Sequence, residues 1–428
     1  MKNKLFLLSV FLLISVFSIQ AQEKTEKELK KEKKAEKKAA KKEKKSQPPA
    51  KGDIYFSPVP VIGVNPAMGF IYGVGASTSA FLGDPATTNI SNALVGFAMT
   101  TKSQKVLTFK SAIYTEGNDY FFIGDWRFLQ SSQPTWGLGT GPQSAKLVNS
   151  GFEFDDGDIS NGIDEAQMLK FNFLRLYETG FKKIAESVYL GLGIHYDRFW
   201  DVEDQLLDLD ADIPVITSYY AYNQKYGFDN EESTLVGVSL NGIYDTRDNQ
   251  NNPYKGRYAM ASFKINPDWL GSDQGSSTLW LEYRDYFNFT PDHKNILGFW
   301  TWGNFTTSGN LPYMNLPAIG WDLFAKSGRP YAQGRFRGEH MIYSEVEYRK
   351  HLWATEKNPN FLGAVAYLNM TTASAEENDI NLFKYLNPGY GVGVRINLNQ
   401  KARTNVGIDY GWGSYGTRGL YIRLNETF

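Results

Sequence analysis

Residues Trp321–Arg349 read WDLFAKSGRPYAQGRFRGEHMIYSEVEYR, a loop followed by a strand. The loop half is rich in glycine and carries three arginines near aromatic residues: Arg329, Arg335 and Arg337. In the strand half, side chains alternate between two faces with a period of two. One face is charged and consists of Met341, Tyr343, Glu345, Glu347 and Arg349. The other face is largely apolar and consists of Ile342, Ser344, Val346 and Tyr348.

A strand with one charged and one apolar face fits two kinds of protein. In a soluble sheet the apolar face is buried in a core, whereas in a transmembrane barrel it meets lipid and the polar face lines the lumen. The composition favours the barrel, because 26 Tyr, 28 Phe and 10 Trp suit strands and interfacial girdles. After the first 21 residues, no apolar run approaches the ~18 residues of a membrane helix.

Alternating segments recur throughout the chain, and the clearest is 188–196, where apolar residues alternate with glycine, tyrosine and histidine. Sixteen strands are predicted, near residues 54–62, 68–82, 90–101, 104–115, 118–129, 166–180, 186–200, 231–246, 254–267, 276–290, 293–306, 340–353, 360–372, 387–399, 402–412 and 419–428. The predicted fold is therefore all-β, a transmembrane antiparallel β-barrel of about sixteen strands over residues 53–428.

The lengths of the connections support this strand count. Outer-membrane barrels have short periplasmic turns and longer extracellular loops. The predicted short links are 115–118, 182–186, 250–253, 291–293 and 399–401. The predicted long ones are 130–164, 201–230, 307–339 and 372–386. With both ends of the barrel in the periplasm, sixteen strands place every one of these links on the expected side.

The N-terminal region has the composition of a secreted protein with a charged leader. Residues 1–21 combine early lysines with an apolar run and are predicted to be a signal peptide. Residues 22–52 form a Lys/Glu-rich periplasmic arm, disordered or a single helix, with a net charge of +7 over 23–51. Removing that +7 and the two signal lysines from the overall −1 leaves about −10 on residues 52–428. The arm could bind anionic envelope polymers or lipid head groups, or serve only as a tether.

Nothing in the sequence indicates catalysis, a metal site or a cofactor. The chain has no cysteine, which excludes disulfides and thiolate metal sites, and its four histidines form no metal-binding pair. His195 and Asp197 share a strand face, but parity places that face inside the barrel. A lipid hydrolase would need a Ser–His pair on the outer rim, so a non-enzymatic protein without nucleic-acid partners is predicted.

The last predicted strand ends in an aromatic residue, as outer-membrane strands commonly do. Phe428 is in phase with Leu420, Ile422 and Leu424 on the predicted last strand. Glu426 interrupts this phase.

The first predicted strand contains Pro58 and Pro60, which have no N–H to donate to a neighbouring strand. The junction between strands 54–62 and 419–428, with Phe428 at its end, is therefore predicted to be the weakest in the barrel and to open sideways. The alternative is that the prolines only end the first strand early.

The segment DTRDNQNNPYKGRY resembles a periplasmic turn of the bacterial surface antigen family, the barrel superfamily of the assembly factors BamA and TamA. Its motif residues are Asp245, Arg247, Asp248, Asn249, Pro253 and Gly256. Asp and Asn side chains can bond to nearby backbone and start the turn. The motif is a family marker whose role is structural in the simplest interpretation.

In this family, the sixth extracellular loop folds into the lumen and its arginine docks on acidic strand residues. The resemblance implies that Arg329, followed by Pro330 and Tyr331, is this tip, with Arg335 and Arg337 as reserve candidates. It further implies a lumen lock of Arg329 and Tyr331 with Glu345, Glu347 and Asn369. The residue at 369 is an asparagine where the family usually has an aspartate.

The resemblance covers residues 54–428 and does not extend to the POTRA domains that the family usually carries. It implies a barrel of the outer membrane of a Gram-negative-type bacterium, in contact with lipid. The implied function is insertion or export of outer-membrane proteins, with client proteins or a separate periplasmic partner. The alternative is a passive or gated pore, and the two differ in whether residues 328–334 plug the lumen.

Overall fold

A computed structural model of the protein describes residue 31 and residues 49–65, 69–142, 166–323, 325–356 and 358–428. The predicted signal peptide and nearly all of the charged arm lie outside these residues, so both stay predictions.

The described chain forms one antiparallel sheet whose strands follow each other in chain order. They are β1 (Ile54–Asn65), β2 (Gly69–Ala80), β3 (Ser91–Thr100), β4 (Lys105–Tyr114), β5 (Tyr120–Thr135), β6 (Gln167–Ala185), β7 (Val188–Asp204), β8 (Ser233–Asp245), β9 (Gly256–Asn266), β10 (Ser276–Asn288), β11 (Asn295–Ser308), β12 (His340–Thr355), β13 (Asn358–Ala373), β14 (Asn387–Asn399), β15 (Thr404–Gly413) and β16 (Arg418–Leu424). The prediction of about sixteen antiparallel strands is confirmed. The long connections follow β5, β7, β11 and β13 at one rim, as predicted, and we call this the extracellular rim and the other the periplasmic rim.

The sheet buries its charges and exposes its apolar side chains. On β12, Glu345 and Glu347 are 1% and 0% exposed, whereas Val346 and Tyr348 between and after them are 38% and 37% exposed. On β7, Leu192 is 72% exposed. This is the reverse of a soluble sheet and the arrangement of a strand with lipid on one side and a polar lumen on the other.

One α-helix, α1 (Ser218–Tyr226), lies in the β7–β8 connection, where the sequence predicted only a loop. The Thr217 side chain accepts a hydrogen bond from the Tyr220 N–H at its start. Gly227, with a φ of 69°, ends it in a left-handed cap. Short 3₁₀ turns occur at Glu116–Asn118, Asp268–Leu270, Tyr313–Asn315 and Glu376–Asn378. Among the described residues, no helix is both long and apolar enough to cross a membrane.

The two outermost strands of the sheet meet without a ladder. Cα atoms of β1 and β16 come within 8 Å of each other. Over the described residues, however, strand pairing links only neighbours in sequence, and none joins β16 back to β1. The barrel therefore has one junction that differs from the rest.

Candidate functional site

The connection between β11 and β12, residues 309–339, folds back between the strands, and we call it the lumen loop. Its own backbone bonds shape it: Ile319 N–H donates to the Phe336 carbonyl (3.1 Å), and Gly334 N–H donates to the Ile319 carbonyl (2.9 Å). Ile319, Phe336 and Tyr313 are almost fully buried. A loop that buries this much apolar surface is a packed part of the barrel interior.

Arg329 at the tip of the lumen loop contacts three carboxylates and is 1% exposed. It donates to Oδ2 of Asp409 at 2.8 Å, to Oε2 of Glu347 at 2.7 Å, and also to Oε1 of Glu345. Its guanidinium carbon lies 3.7 Å from the centre of the Tyr367 ring. The planar guanidinium can serve several acceptors and a ring face together, which a lysine cannot. The structure thus brings Arg329 onto both glutamates named from the sequence and adds Asp409.

These contacts belong to a larger buried network that links the lumen loop to β12, β14, β15 and the residues after β16. Its members are four arginines and four carboxylates: Arg329, Arg349, Arg395, Arg423, Glu345, Glu347, Asp409 and Glu426. Arg395 is central, at 2.5 Å from Asp409 and 2.6 Å from Glu426. Equal numbers of opposite charges, all hydrogen-bonded, allow a burial that would be costly for any one of them alone.

Asn369 and Tyr331 hold the backbone around Arg329. The Asn369 side chain donates to the Arg329 carbonyl and to Oε2 of Glu345, the latter at 3.3 Å. An amide can donate to the loop where an aspartate could only accept, so it acts as a clamp on the backbone. The Tyr331 hydroxyl donates to the Pro388 carbonyl and accepts from the Ser414 N–H at 2.8 Å.

Glycines on the inner face of β14 and β15 make room for the loop tip. A Cβ on Gly389 would lie 2.6 Å from the Arg329 carbonyl oxygen. A Cβ on Gly413 would lie 2.7 Å from the Tyr331 ring, and one on Gly411 would lie 3.1 Å from Pro330. Such separations force the neighbour to move, so glycine at these positions is a packing requirement.

The two reserve arginines have other surroundings. The guanidinium of Arg335 lies 4.5 Å from the Trp136 ring and 4.7 Å from the Tyr415 ring, a cation–π arrangement. Arg337 is fully buried and donates to the Tyr313 carbonyl at 2.8 Å. Within the described part of the chain, neither side chain contacts a carboxylate. They brace the loop, and Arg329 is the arginine of the acidic site.

The lumen loop has a second attachment on the opposite wall. Arg127 of β5 pairs with Asp125 and donates to the carbonyls of Asp322 and Leu323, both at 2.9 Å. Lys110 of β4 also donates to the Leu323 carbonyl. The loop therefore spans the lumen from β4 and β5 to β12 and β15.

The β8–β9 turn folds as a compact polar unit. Arg247 pairs with Asp245 through two hydrogen bonds of 2.9 and 2.8 Å. Asp248 accepts from the Tyr254 N–H, and Asn249 accepts from the N–H groups of the next two asparagines, both within 2.9 Å. The turn ends at Gly256, which has a φ of 100° and no space for a Cβ. Pro253 offers its carbonyl to Arg349 at 3.5 Å, so the turn faces the charged network.

The last strand is present but shorter than the predicted 419–428, and Phe428 does not continue its phase. The strand ends at Leu424, and Asn425 adopts a φ of 61°, which turns residues 425–428 into the lumen. We call these four residues the tail. Phe428 is 4% exposed, with its ring 5.4 Å from Trp300 and its carbonyl accepting from Arg349 at 2.8 Å. Glu426 interrupts the row of apolar residues in the sequence because its side chain points inward and pairs with Arg395 in the charged network.

The two prolines of the first strand lie within β1, so the alternative that they end it early is wrong. β1 continues to Asn65 and is paired with β2 at every residue from Ile54. Pro58 and Pro60 are both exposed. Because they are two residues apart, both missing donors belong to the same edge of the strand.

A cavity of about 270 Å³ remains between the lumen loop, the tail and the walls, and His195 contributes to its lining. His195 Nε2 lies 2.7 Å from the Ser239 hydroxyl, but Asp197 is bonded to Arg175 and Tyr177. The Ser–His contact therefore lacks an orienting carboxylate. In the chain as described, no three histidine, aspartate or glutamate side chains are placed to hold a metal ion.

Sequence reasoning missed Arg395, Asp409 and the inward path of Glu426. The signal for the first two was available, because Arg395 shares its strand face with Gly389, Gly391 and Gly393. Asp409 likewise shares its face of β15 with Gly407, Gly411 and Gly413. A lone charge on a glycine-lined face indicates a close approach by another part of the chain.

The fold is similar to that of solved outer-membrane proteins. No protein-family model matches the sequence, and no curated protein matches it either. Among solved structures, BamA from Haemophilus ducreyi lacking POTRA domains 1–3 is similar, with a TM-score of 0.50 and 14% identity over 88% of this chain and 70% of that one. CdiB from Acinetobacter baumannii is similar with a TM-score of 0.51 and 10% identity, over 87% of this chain and 59% of that one. This is the fold of an outer-membrane β-barrel.

At 10–14% identity, the similarity concerns the fold. The chain spans less than two thirds of the CdiB chain, so it matches part of that protein. The exposed apolar surface of the strands is the part of such a barrel that contacts membrane lipid.

Proposed function

We propose that this barrel inserts or exports polypeptides at the outer membrane, and that it does so through the junction between β1 and β16. The observation that carries the proposal is the absence of a ladder between these two strands in the described chain, where every other neighbouring pair is hydrogen-bonded. A junction without a ladder is an edge that can accept a strand from another polypeptide.

Two further features favour opening at this place. β1 is hydrogen-bonded to β2 along its whole length, so the edge that Pro58 and Pro60 leave without donors is best assigned to the β16 side. On the other strand, only seven residues precede the inward turn of the tail. Two missing hydrogen bonds weaken the junction by roughly 0.5–1.5 kcal/mol each in water, and by more in lipid.

The lumen loop argues against a permanently open pore. Gly328, Arg329 and Tyr331 are buried between the walls, and a cavity of about 270 Å³ remains beside the lumen loop. A sixteen-stranded barrel without such a loop would be wide enough for a water channel. The pore alternative therefore requires the loop to leave the lumen, whereas opening of the β1–β16 junction does not.

A disulfide across the junction tests the proposal. The two cysteines must both lie on the outward face of their strands. On β16, Ile422 faces outward and position 424 is in the same phase. On β1, Phe56 is 63% exposed and faces outward, whereas Ser57 is 7% exposed and faces the lumen. We would introduce cysteines at 56 and at 422 or 424 in this cysteine-free chain. The assay is the folding rate of an urea-unfolded eight-stranded barrel polypeptide added to vesicles that contain the protein.

A second disulfide serves as the matched control. Leu240 of β8 and Phe263 of β9 are directly paired and are 62% and 45% exposed, so a cross-link there locks a junction that is already closed. We expect the 56–422 or 56–424 cross-link to stop the assisted folding and reductant to restore it, with no effect of the control. Full activity with the junction cross-link formed would refute lateral opening.

A further inference from the structure

Two glutamates join three connections at the extracellular rim. Glu339 is the last residue of the lumen loop, and Glu377 lies in the β13–β14 connection. Ser374 donates its hydroxyl to Oε2 of Glu339 at 3.2 Å. From α1, Tyr226 donates its hydroxyl to Oε1 of Glu377, and Lys225 lies 3.4 Å from the same oxygen. The pair therefore connects the lumen loop, the β13–β14 connection and α1.

The other oxygen of each carboxyl group lacks a donor. Oε1 of Glu339 and Oε2 of Glu377 are buried and have no hydrogen-bond partner in the described chain. The Glu377 side chain is 0% exposed. A side-chain hydrogen bond with Glu377 is among the causes that raise the pKa of Glu339. Two buried carboxylates in direct contact repel each other unless one is protonated and donates to its neighbour.

We propose that Glu339 holds a proton, donates it to Glu377 as a hydrogen bond and so forms a latch that holds the lumen loop, the β13–β14 connection and α1 together. Loss of that proton releases the three connections from one another. The latch would respond to external pH whether or not the barrel inserts polypeptides, because it involves neither the β1–β16 junction nor the Arg329 network.

The direction of the response follows from the charge states. Burial, and next the charge of Glu377, raise the pKa of Glu339 from 4.5 to about 8. In the closed latch Glu339 therefore keeps a proton that it loses in the open form. The closed latch becomes less stable relative to the open form as pH rises from 4.5 to about 8. The opening equilibrium should increase by at most about tenfold per pH unit over that interval.

The surroundings contain few competing titrations. The groups that lie near the pair are Tyr222, Tyr226, Tyr313, Lys225 and Glu376, and the His340 backbone N–H shares the Ser374 hydroxyl with Glu339. Burial, together with the nearby glutamates, raises the pKa values of Tyr222 and Tyr226, so both stay protonated below pH 9. Glu376 is exposed, and His340 follows Glu339 directly in the chain, so these two need control variants.

Hydrogen exchange of the α1 amides tests the latch in the full chain held in lipid nanodiscs. Rates are compared at pH 6 and pH 8.5 after correction for intrinsic exchange, and heat-modifiability on gels verifies a folded barrel. In the native protein we expect at least about tenfold more opening at pH 8.5. In Glu339→Gln, whose amide donates at every pH, we expect less than a twofold difference. Glu377→Gln should behave in the same way.

The controls are Glu376→Gln and His340→Gln, which should keep the native pH dependence. The proposal is overturned if the native protein shows no pH dependence, or if the dependence persists in both Glu339→Gln and Glu377→Gln. It is also overturned if protection at pH 8.5 depends on added Ca²⁺ and is lost with EDTA, because the pair would then bind a cation instead of holding a proton.

Discussion

Replacement of Arg329 by alanine would remove the cation that Glu345, Glu347 and Asp409 share. Asp409 would keep Arg395 at 2.5 Å, and Glu347 would keep Arg349 at 2.7 Å. Glu345 would keep only hydrogen bonds from Tyr343 and Asn369. The variant therefore creates one uncompensated buried carboxylate.

The size of the effect follows from that single orphaned charge. Removing one partner of a buried ion pair typically costs about 3–5 kcal/mol. We expect the smaller end of this range because Glu345 keeps its hydrogen bonds from Tyr343 and Asn369, and this corresponds to about a 10²-fold change in an equilibrium constant. The attachment of the loop to Arg127 is unchanged, so we expect loosening of the loop tip while the barrel stays folded.

Hydrogen exchange at the loop amides measures this change directly. The N–H groups of Tyr331 and Gly334 are bonded within the loop, to Gly328 and Ile319, and should exchange about 10²-fold faster in Arg329→Ala. Adding Glu345→Gln should restore most of the protection, because the orphaned charge is then gone. Exchange within threefold of the native rate in Arg329→Ala, or no rescue by the second substitution, would refute the lumen lock.

The same packing predicts three smaller effects. Gly389→Ala should displace the loop tip and raise its protease sensitivity, whereas Gly242→Ala, whose added Cβ meets only a leucine methyl at 3.6 Å, should not. Phe428→Ala should release the tail by removing about 3–5 kcal/mol of buried aromatic contact, detected as faster exchange at residues 425–428. Arg335→Ala should lower loop stability by only about 1–2 kcal/mol in denaturant titrations, because it loses ring contacts and no carboxylate partner.

The strand pattern could be predicted from the sequence because a barrel strand meets two different solvents. Lipid on one side and polar lumen on the other impose a period of two on each strand, and Val346 beside Glu347 shows it plainly. The alternation of short and long connections then required an even number of strands, with every short link on one side and every long link on the other. Local pattern and global topology agreed, which is why the strand number was correct.

Contacts between distant strands left weaker traces in the sequence. Glu345 and Glu347 could be predicted as site residues because they lie on the strand that follows the lumen loop. The family resemblance then indicated Arg329 as their partner. Asp409 is 80 residues from Arg329, and its only local sign was a glycine-lined face. The tail was mispredicted because Phe428 keeps the phase of Leu420, Ile422 and Leu424, whereas Glu426, which interrupts that phase, bonds to Arg395 inside the barrel.

The position of the tail also implies an order of assembly. Its binding site is made of parts from distant regions: the Glu426 N–H donates to Asn251 in the β8–β9 turn, and the Glu426 carbonyl accepts from Lys326 of the lumen loop. Phe428 needs the β11 and β12 wall. None of these contacts exists until the loop is inside and the wall is formed. Docking of residues 425–428 is therefore a late event, and a fluorophore near Phe428 would mark the moment at which the interior is complete.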